Sequence, residues 1–241
     1  MINKQKKIFC AKAPLRLGLA GGGSDLTPFS EKYGGCILNA TINLFVHVFI
    51  EPTKNNRISF IATDVKANFE TNTTKEIDLN GDLLIHKAVY NRIIKEFDLE
   101  ALSLNLFSYA DSPIGSGLGT SSTLVVALIT AYNEWLDLGL GQYDIAKLAY
   151  EIERLDLSFS GGKQDQYAAA FGGFNFMEFG PDEKVLINPL RPQNWILNQL
   201  EASIVLYFSG KSRLSSKIIS SQIDAITLDR NAYDAIIPVP V

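Results

Sequence analysis

Ten consecutive residues, Pro113-Ile114-Gly115-Ser116-Gly117-Leu118-Gly119-Thr120-Ser121-Ser122, concentrate the features needed to hold a phosphate group. Glycines at every second position let a backbone approach a ligand with no Cβ in the way. The apolar stretch 123–138, free of Gly and Pro until its end, predicts a helix directly after the glycines. A helix start offers unpaired N–H groups and the positive end of a dipole to an anion. The spacing excludes two common phosphate loops. No lysine stands where GxxxxGKS/T requires one, and Thr120 breaks the GxGxxG dinucleotide pattern, leaving only GxGxG. A glycine-rich turn capped by Thr120 or Ser121 is the chemically silent alternative.

Other charged residues stand near glycines. Arg16 alternates with Leu15 and Leu17, which puts it on the opposite face of a strand. Gly21, Gly22 and Gly23 permit a sharp loop, and Asp25 is a carboxylate just beyond it or the cap of a short helix over 27–33. Glu151, Glu153 and Arg154 are the polar positions of an amphipathic helix over 142–155, where solvated charge is the plain reading. Neither His47 nor His86 has an acidic cluster beside it, so no histidine metal site is expected. His47 reads as a satisfied strand residue and His86 as an exposed one.

These strings resemble the signatures of the GHMP kinases (galactokinase, homoserine kinase, mevalonate kinase and phosphomevalonate kinase). The ten-residue string is similar to the second signature. Ala13-Pro14-Leu15-Arg16 with the glycine loop after it is similar to the first. Gly21-Gly22-Gly23-Ser24-Asp25, continued by Leu26-Thr27-Pro28-Phe29, looks like the branch acting on anomeric sugar hydroxyls, and fucose kinases carry a similar loop. Residues 158–166 resemble the segment where a helical Glu precedes a Gly-x-x-Asp element. Many relatives have Ser-Gly-Val-Asp there, and this chain has Gly161-Gly162-Lys163-Gln164-Asp165.

The resemblance implies an α+β fold of two lobes. The first, over 1–175, is of the ribosomal protein S5 domain 2-like type and binds ATP; the second, over 176–241, is ferredoxin-like and incomplete. It implies that Pro113, Gly115, Ser116, Gly117, Leu118, Gly119, Thr120 and Ser121 bind the nucleotide. Asp165 becomes the catalytic carboxylate with Arg16 beside it, and Gly22, Gly23, Ser24 and Asp25 meet the sugar. Ser121 and Glu153 would hold Mg²⁺, with Glu151 as the alternative ligand. Lys163 would face a sugar phosphate or water, and Arg213, in a polar turn over 210–213, is a further sugar-phosphate candidate or a surface arginine. The implied activity is phosphorylation of the anomeric hydroxyl of D-glycero-D-manno-heptose 7-phosphate. A fucose-type or other sugar kinase, or an inactive nucleotide- or sugar-binding remnant, are the alternatives.

Positioning these groups requires strands over 8–13, 36–51 (one long or two short), 57–63, 102–110, 174–178, 184–190 and 202–208. It also requires helices over 82–97, 123–138, 142–155 and 214–226, with 68–81 a polar turn region. At 241 residues, 46% hydrophobic and 20% charged, the chain can build a sizeable core and does not read as disordered. A net charge of −4 argues against a general nucleic-acid surface. Cys10 and Cys36 have no metal-type spacing, and no apolar run reaches membrane-span length. The basic start is not followed by an uninterrupted apolar segment, so a soluble cytoplasmic protein is expected.

The resemblance stops near residue 226. No glycine follows Gly210, and the chain ends Ile236-Ile237-Pro238-Val239-Pro240-Val241 where the family carries a third glycine-rich signature. The pattern is that of a truncated or frameshifted copy. Apolar surface exposed by a missing layer would favour association, a homodimer included.

Overall fold

A computed structural model describes residues 7–207. The expected helix over 214–226, Arg213 and the end of the 202–208 strand lie outside the described residues. The fold is α+β, a seven-stranded mixed sheet with a helical layer packed against it.

The sheet is assembled around β2 (Gly35–Pro52), a single strand of 18 residues. β1 (Phe9–Ala20) runs antiparallel along one edge of it, from Phe9 opposite Ile50 to Ala20 opposite Leu38. On the other edge β2 pairs with β5 (Leu104–Ala110) through residues 46–52, and with β6 (Phe174–Phe179) through residues 35–40. β3 (Arg57–Ala62) lies parallel to β5 and forms a hairpin with β4 (Ala67–Asn72), while β7 (Val185–Leu190) follows β6. The lobe boundary expected at 175 falls inside β6, and the sheet runs on through β6 and β7 without interruption.

The expected first strand ended at Pro14, yet β1 continues six residues beyond it. Proline lacks an N–H and is tolerated at sheet edges and bulges. Pro14 has both: β1 pairs with β2 alone, and the register shifts between Pro14 and Arg16. At this irregularity the Arg16 N–H turns aside to donate to the Leu118 carbonyl at 3.2 Å. An edge-strand proline thus attaches β1 to the glycine loop.

α3 (Thr120–Leu136) is the central helix. It is apolar on nearly every side, as a helix covered all round must be. Val125, Leu128, Ile129 and Tyr132 are fully buried against β1, β2 and the helices α2 (Leu84–Glu96), α4 (Gln142–Glu151) and α5 (Gln164–Phe171). Val46, Val48 and Ile50 face this layer, while the alternate residues Phe45, His47 and Phe49 face away. There His47 stacks on Tyr109 with ring centroids 4.5 Å apart. The short helix α1 (Phe29–Tyr33) follows the loop after β1, and α6 (Asn194–Ser203), with no buried residue, follows β7.

Three local expectations are corrected. Residues 67–72 form β4 despite their polar sequence, because pairing with β3 and packing of Phe69 on Phe60 (centroids 5.8 Å apart) override weak strand propensity. Ala202 and Ser203 close α6 and 204–207 form no strand, with no partner strand beside them among the described residues. His86 is buried, not exposed: its Nε2 meets Ser108 Oγ at 2.8 Å, and burial pushes its pKa down to about 4.

Candidate active site

The glycine loop adopts the backbone its spacing suggests. Gly115, Gly117 and Gly119 all have positive φ (81°, 83° and 77°), a region where Cβ-bearing residues are strained. Alternation of left-handed glycines with ordinary residues coils the loop so that its backbone lines a cleft of about 1010 Å³. Left-handed Gly119 is the residue before α3, with no side-chain cap, so neither Thr120 nor Ser121 caps the helix. Gly115, Gly117, Gly119, Thr120 and Ser121 face the cleft. Pro113, Ser116 and Leu118 do not line it. Ser116 Oγ instead braces Thr120 Oγ1 at 3.3 Å and the Leu118 N–H at 3.4 Å, and Leu118 packs into the core.

Across from this loop stands an ion pair. Arg16 Nε and Nη2 lie 2.7 and 2.6 Å from the same oxygen of Asp165, Oδ1. Arg16 Nη1 donates to the Gly117 carbonyl at 2.8 Å, so one guanidinium joins the carboxylate to the loop. The second oxygen, Oδ2, takes none of these bonds. It rests against Gly119, where an added Cβ would lie 3.2 Å from it.

Asp25 reaches the same cleft from the loop after β1. Its Oδ2 accepts the Gln164 N–H, at the start of α5, at 2.8 Å, so it does not cap α1. Burial raises its pKa, Asp165 adds repulsion, and backbone N–H groups oppose both. Gly23 lines the cleft beside it, whereas Gly22 does not. Ser24 is committed to the loop itself: its hydroxyl donates towards the carbonyls of Gly21 (2.7 Å) and Cys36 (3.0 Å) and accepts the Cys36 N–H at 3.1 Å.

Of the two glutamates at the end of α4, Glu153 enters the cleft and Glu151 does not. The helix widens into a π-helical turn over Ile152–Asp156, a local form found often at functional sites. The wider turn lets consecutive residues Glu153 and Arg154 both line the cleft. Glu151 faces the outer side, 3.6 Å from Arg92, which also holds Asp156 through two bonds of 2.8 and 3.1 Å. Arg92 therefore grips the turn from both ends. Inside, the Glu153 carboxylate accepts from Gln166 Nε2, which also reaches Ser122 Oγ at 3.2 Å.

Glu153 is 2% exposed, and burial raises its pKa above 4.5. Below 4.5 the carboxyl is protonated folded and unfolded, and no penalty arises. As pH rises past 4.5 the unfolded chain releases its proton first, so folding loses stability until the folded pKa is passed. Glu153→Gln should therefore raise the Tm at pH 7 relative to the parent, and the gain should vanish below pH 4.5. Melting curves at pH 4 and pH 7 would test this; an equal shift at both would sink it. A buried carboxylate is also the kind of oxygen ligand a hard cation takes, because the cation's charge would relieve its desolvation. Ser121 lines the same cleft.

Lys163 turns neither to the cleft nor to water. Its side chain is buried, with Nζ 3.8 Å from Glu31 Oε1 and 5.5 Å above the Tyr150 ring. The structure adds four residues the motifs did not single out: Ser122, Arg154, Gln164 and Gln166. Their signal was present in Gln164-Asp165-Gln166, two amides around one acid at a helix start, but chain order alone did not say which faced inward.

A glycine loop at a helix start, an arginine-fixed aspartate and a buried glutamate thus line one cleft. Residues 84–173 match the model of the GHMP kinases N terminal domain. The chain is 51% identical over 212 residues to D-glycero-alpha-D-manno-heptose 7-phosphate kinase of Campylobacter jejuni, covering 88% of this chain. It spans 62% of the length of that relative. The crystal structure of a D-glycero-D-manno-heptose 1-phosphate kinase from Bacteroides thetaiotaomicron superposes with a TM-score of 0.82 at 48% identity, covering 95% of this chain and 76% of that one. The mevalonate kinase of Methanococcus jannaschii shares the fold alone, with a TM-score of 0.64 at 18% identity, over 97% of this chain and 76% of that one. The chain belongs to the GHMP kinase family.

Proposed function

We propose that this chain transfers the γ-phosphoryl group of ATP to the anomeric hydroxyl of D-glycero-D-manno-heptose 7-phosphate. The observation that carries the reading is the Asp165 carboxylate, held by Arg16 through one oxygen and presented with the other beside the glycine loop. Likeness to the heptose 7-phosphate kinase of C. jejuni supplies the acceptor.

Phosphoryl transfer demands mainly positioning and charge stabilisation. The backbone of Gly115, Gly117 and Gly119 and the start of α3 would cradle the phosphates. Asp25 would accept hydrogen bonds from sugar hydroxyls, because its Oδ2 is already fixed by Gln164 and its position is rigid. Asp165 Oδ2 would take the proton of the attacking hydroxyl as the O–P bond forms and ADP departs. Arg16 holds the Asp165 carboxylate in place for that step. Ser121 and Glu153 would hold Mg²⁺, which supplies neutralisation of phosphate charge when bound.

The test is ADP release by the purified full chain with ATP, Mg²⁺ and heptose 7-phosphate, with fucose in parallel. Turnover that requires the heptose phosphate, with ³¹P signals of a 1,7-bisphosphate, is the expected result. Nucleotide binding with no turnover of either sugar would overturn the proposal in favour of a binding remnant. Turnover of fucose alone would overturn the choice of acceptor.

A further inference from the structure

Resting on the kinase reading above, we infer that Arg154 is the cation that receives the phosphate already carried by the sugar. The cleft is thereby matched to a sugar phosphate and not to a free sugar.

Asp25, Glu153 and Asp165 all line the cleft and would repel an acceptor bearing a phosphate. A dianionic acceptor therefore needs a dedicated cation. Among the described residues, the cleft-lining cations are Arg16, Lys66 and Arg154. Arg16 is consumed by Asp165 and the Gly117 carbonyl. Lys66 belongs to the turn joining β3 to β4, beside Val65, where the cleft is bounded by that hairpin and the start of α2. Lys163, the cation suggested by sequence, is buried against Glu31.

Arg154 differs from all three. Its guanidinium is held by carbonyls and not by a carboxylate: Nη1 donates to Phe159 O at 3.2 Å and Nη2 to Gly162 O at 3.0 Å. Its buried Nε has no partner. Its neighbour Glu153 feels the positive charge, but that carboxylate is bonded by Gln166. The fork is thus fixed in orientation before a ligand arrives, which lowers the ordering cost of binding. The exposed Ser158 and Ser160 stand beside it on the cleft wall.

The placement also has a direction. Gly161 lies against the Arg154 guanidinium, and Gly162 lies against the Asp25 carboxylate. Asp165 follows three residues later, against Gly119. The groups therefore succeed one another as glycine loop, Asp165, Asp25, Arg154. A sugar whose accepting hydroxyl meets Asp165 and whose ring hydroxyls meet Asp25 would carry its far end towards Arg154. The substrate class is a sugar phosphorylated at the end remote from the accepting hydroxyl.

The experiment compares binding of heptose 7-phosphate and of the same heptose without phosphate, by calorimetry, in the parent and in Arg154→Gln. Glutamine can still donate to one loop carbonyl. Loss of the charged contact should weaken the phosphorylated sugar about 30- to 100-fold and the free sugar less than about threefold. Arg154→Lys should recover part of the difference. Equal weakening of both sugars would assign Arg154 to bracing the 158–162 loop alone and overturn the inference, as would unchanged affinity for both. A parent that phosphorylates heptose 7-phosphate while Arg154→Gln keeps its affinity would defeat only this assignment. A parent that binds neither sugar would defeat the kinase reading with it.

Discussion

Asp165→Asn should abolish most turnover while leaving nucleotide binding intact. The substitution keeps the size and planarity of the side chain, and its carbonyl oxygen can still accept from Arg16. What it loses is the second carboxylate oxygen, the one resting against Gly119 and outside the bonds to Arg16. An amide NH₂ in that place donates a hydrogen bond and cannot take a proton from a sugar hydroxyl. Loss of a positioned general base costs about 10²- to 10⁴-fold in rate, and the upper part of that range applies if Asp165 also steers the hydroxyl. Removing this charge relieves its repulsion of Asp25 and Glu153 but also ends the ion pair with Arg16, so a melting curve of the variant accompanies the assay. Steady-state kcat together with ATP affinity by titration decides the matter. A kcat within tenfold of the parent would remove Asp165 from the chemistry.

Gly162→Ala should be nearly as damaging, by a steric route. Its φ is not in the left-handed region, so the backbone itself accepts alanine. The obstacle is the neighbour: an added Cβ would lie 1.9 Å from Asp25 Oδ2 and 2.4 Å from its carboxyl carbon. Asp25 is buried and holds the Gln164 N–H, so it cannot swing aside without breaking that bond. Moving the loop instead would displace Asp165, three residues on. Misplacement by about 1 Å costs on the order of 10²-fold in rate, and we expect kcat/KM for the sugar to fall by at least that much. Affinity for ATP should fall less than kcat/KM, because Gly162 lies against Asp25 and not against the glycine loop. Gly180→Ala is the control: its φ is also outside the left-handed region and its Cβ would meet only Lys184 Cβ at 3.8 Å, an ordinary contact, so a small effect is expected. Equal effects of the two substitutions would disprove this account of Gly162.

Family membership suits the division of labour in this site. The glycine loop and the helix it opens are one local unit, built within about a dozen residues of chain. The parts that would choose the acceptor come from elsewhere: the loop after β1, the π-helical turn and the start of α5. Arg92 grips that turn from outside through Glu151 and Asp156, which explains why a glutamate two positions away from Glu153 never approaches the cleft.

Local backbone demands were legible in the amino-acid order. Alternating glycines in 115–119 announced a loop whose backbone can approach a ligand, and the structure gives all three a positive φ. The long β-branched and aromatic run became β2, and apolar periodicity gave α2, α3 and α4, because burial of a face acts at a fixed spacing along the chain. Partner choice was not legible. Arg16 and Asp165 are 149 residues apart and meet only because β1 and α5 pack against each other and against α3. Whether Glu151 or Glu153 turned inward depended on a π-helical turn that no periodicity marks. Lys163 looked available for a phosphate until packing buried it against Glu31, and Arg154 looked like solvated helix charge until the widened turn carried it into the cleft. Conformation that one residue imposes on its own backbone can be read in order along the chain. Which charges face one another is set by the packing of distant elements, and only the tertiary structure decides it.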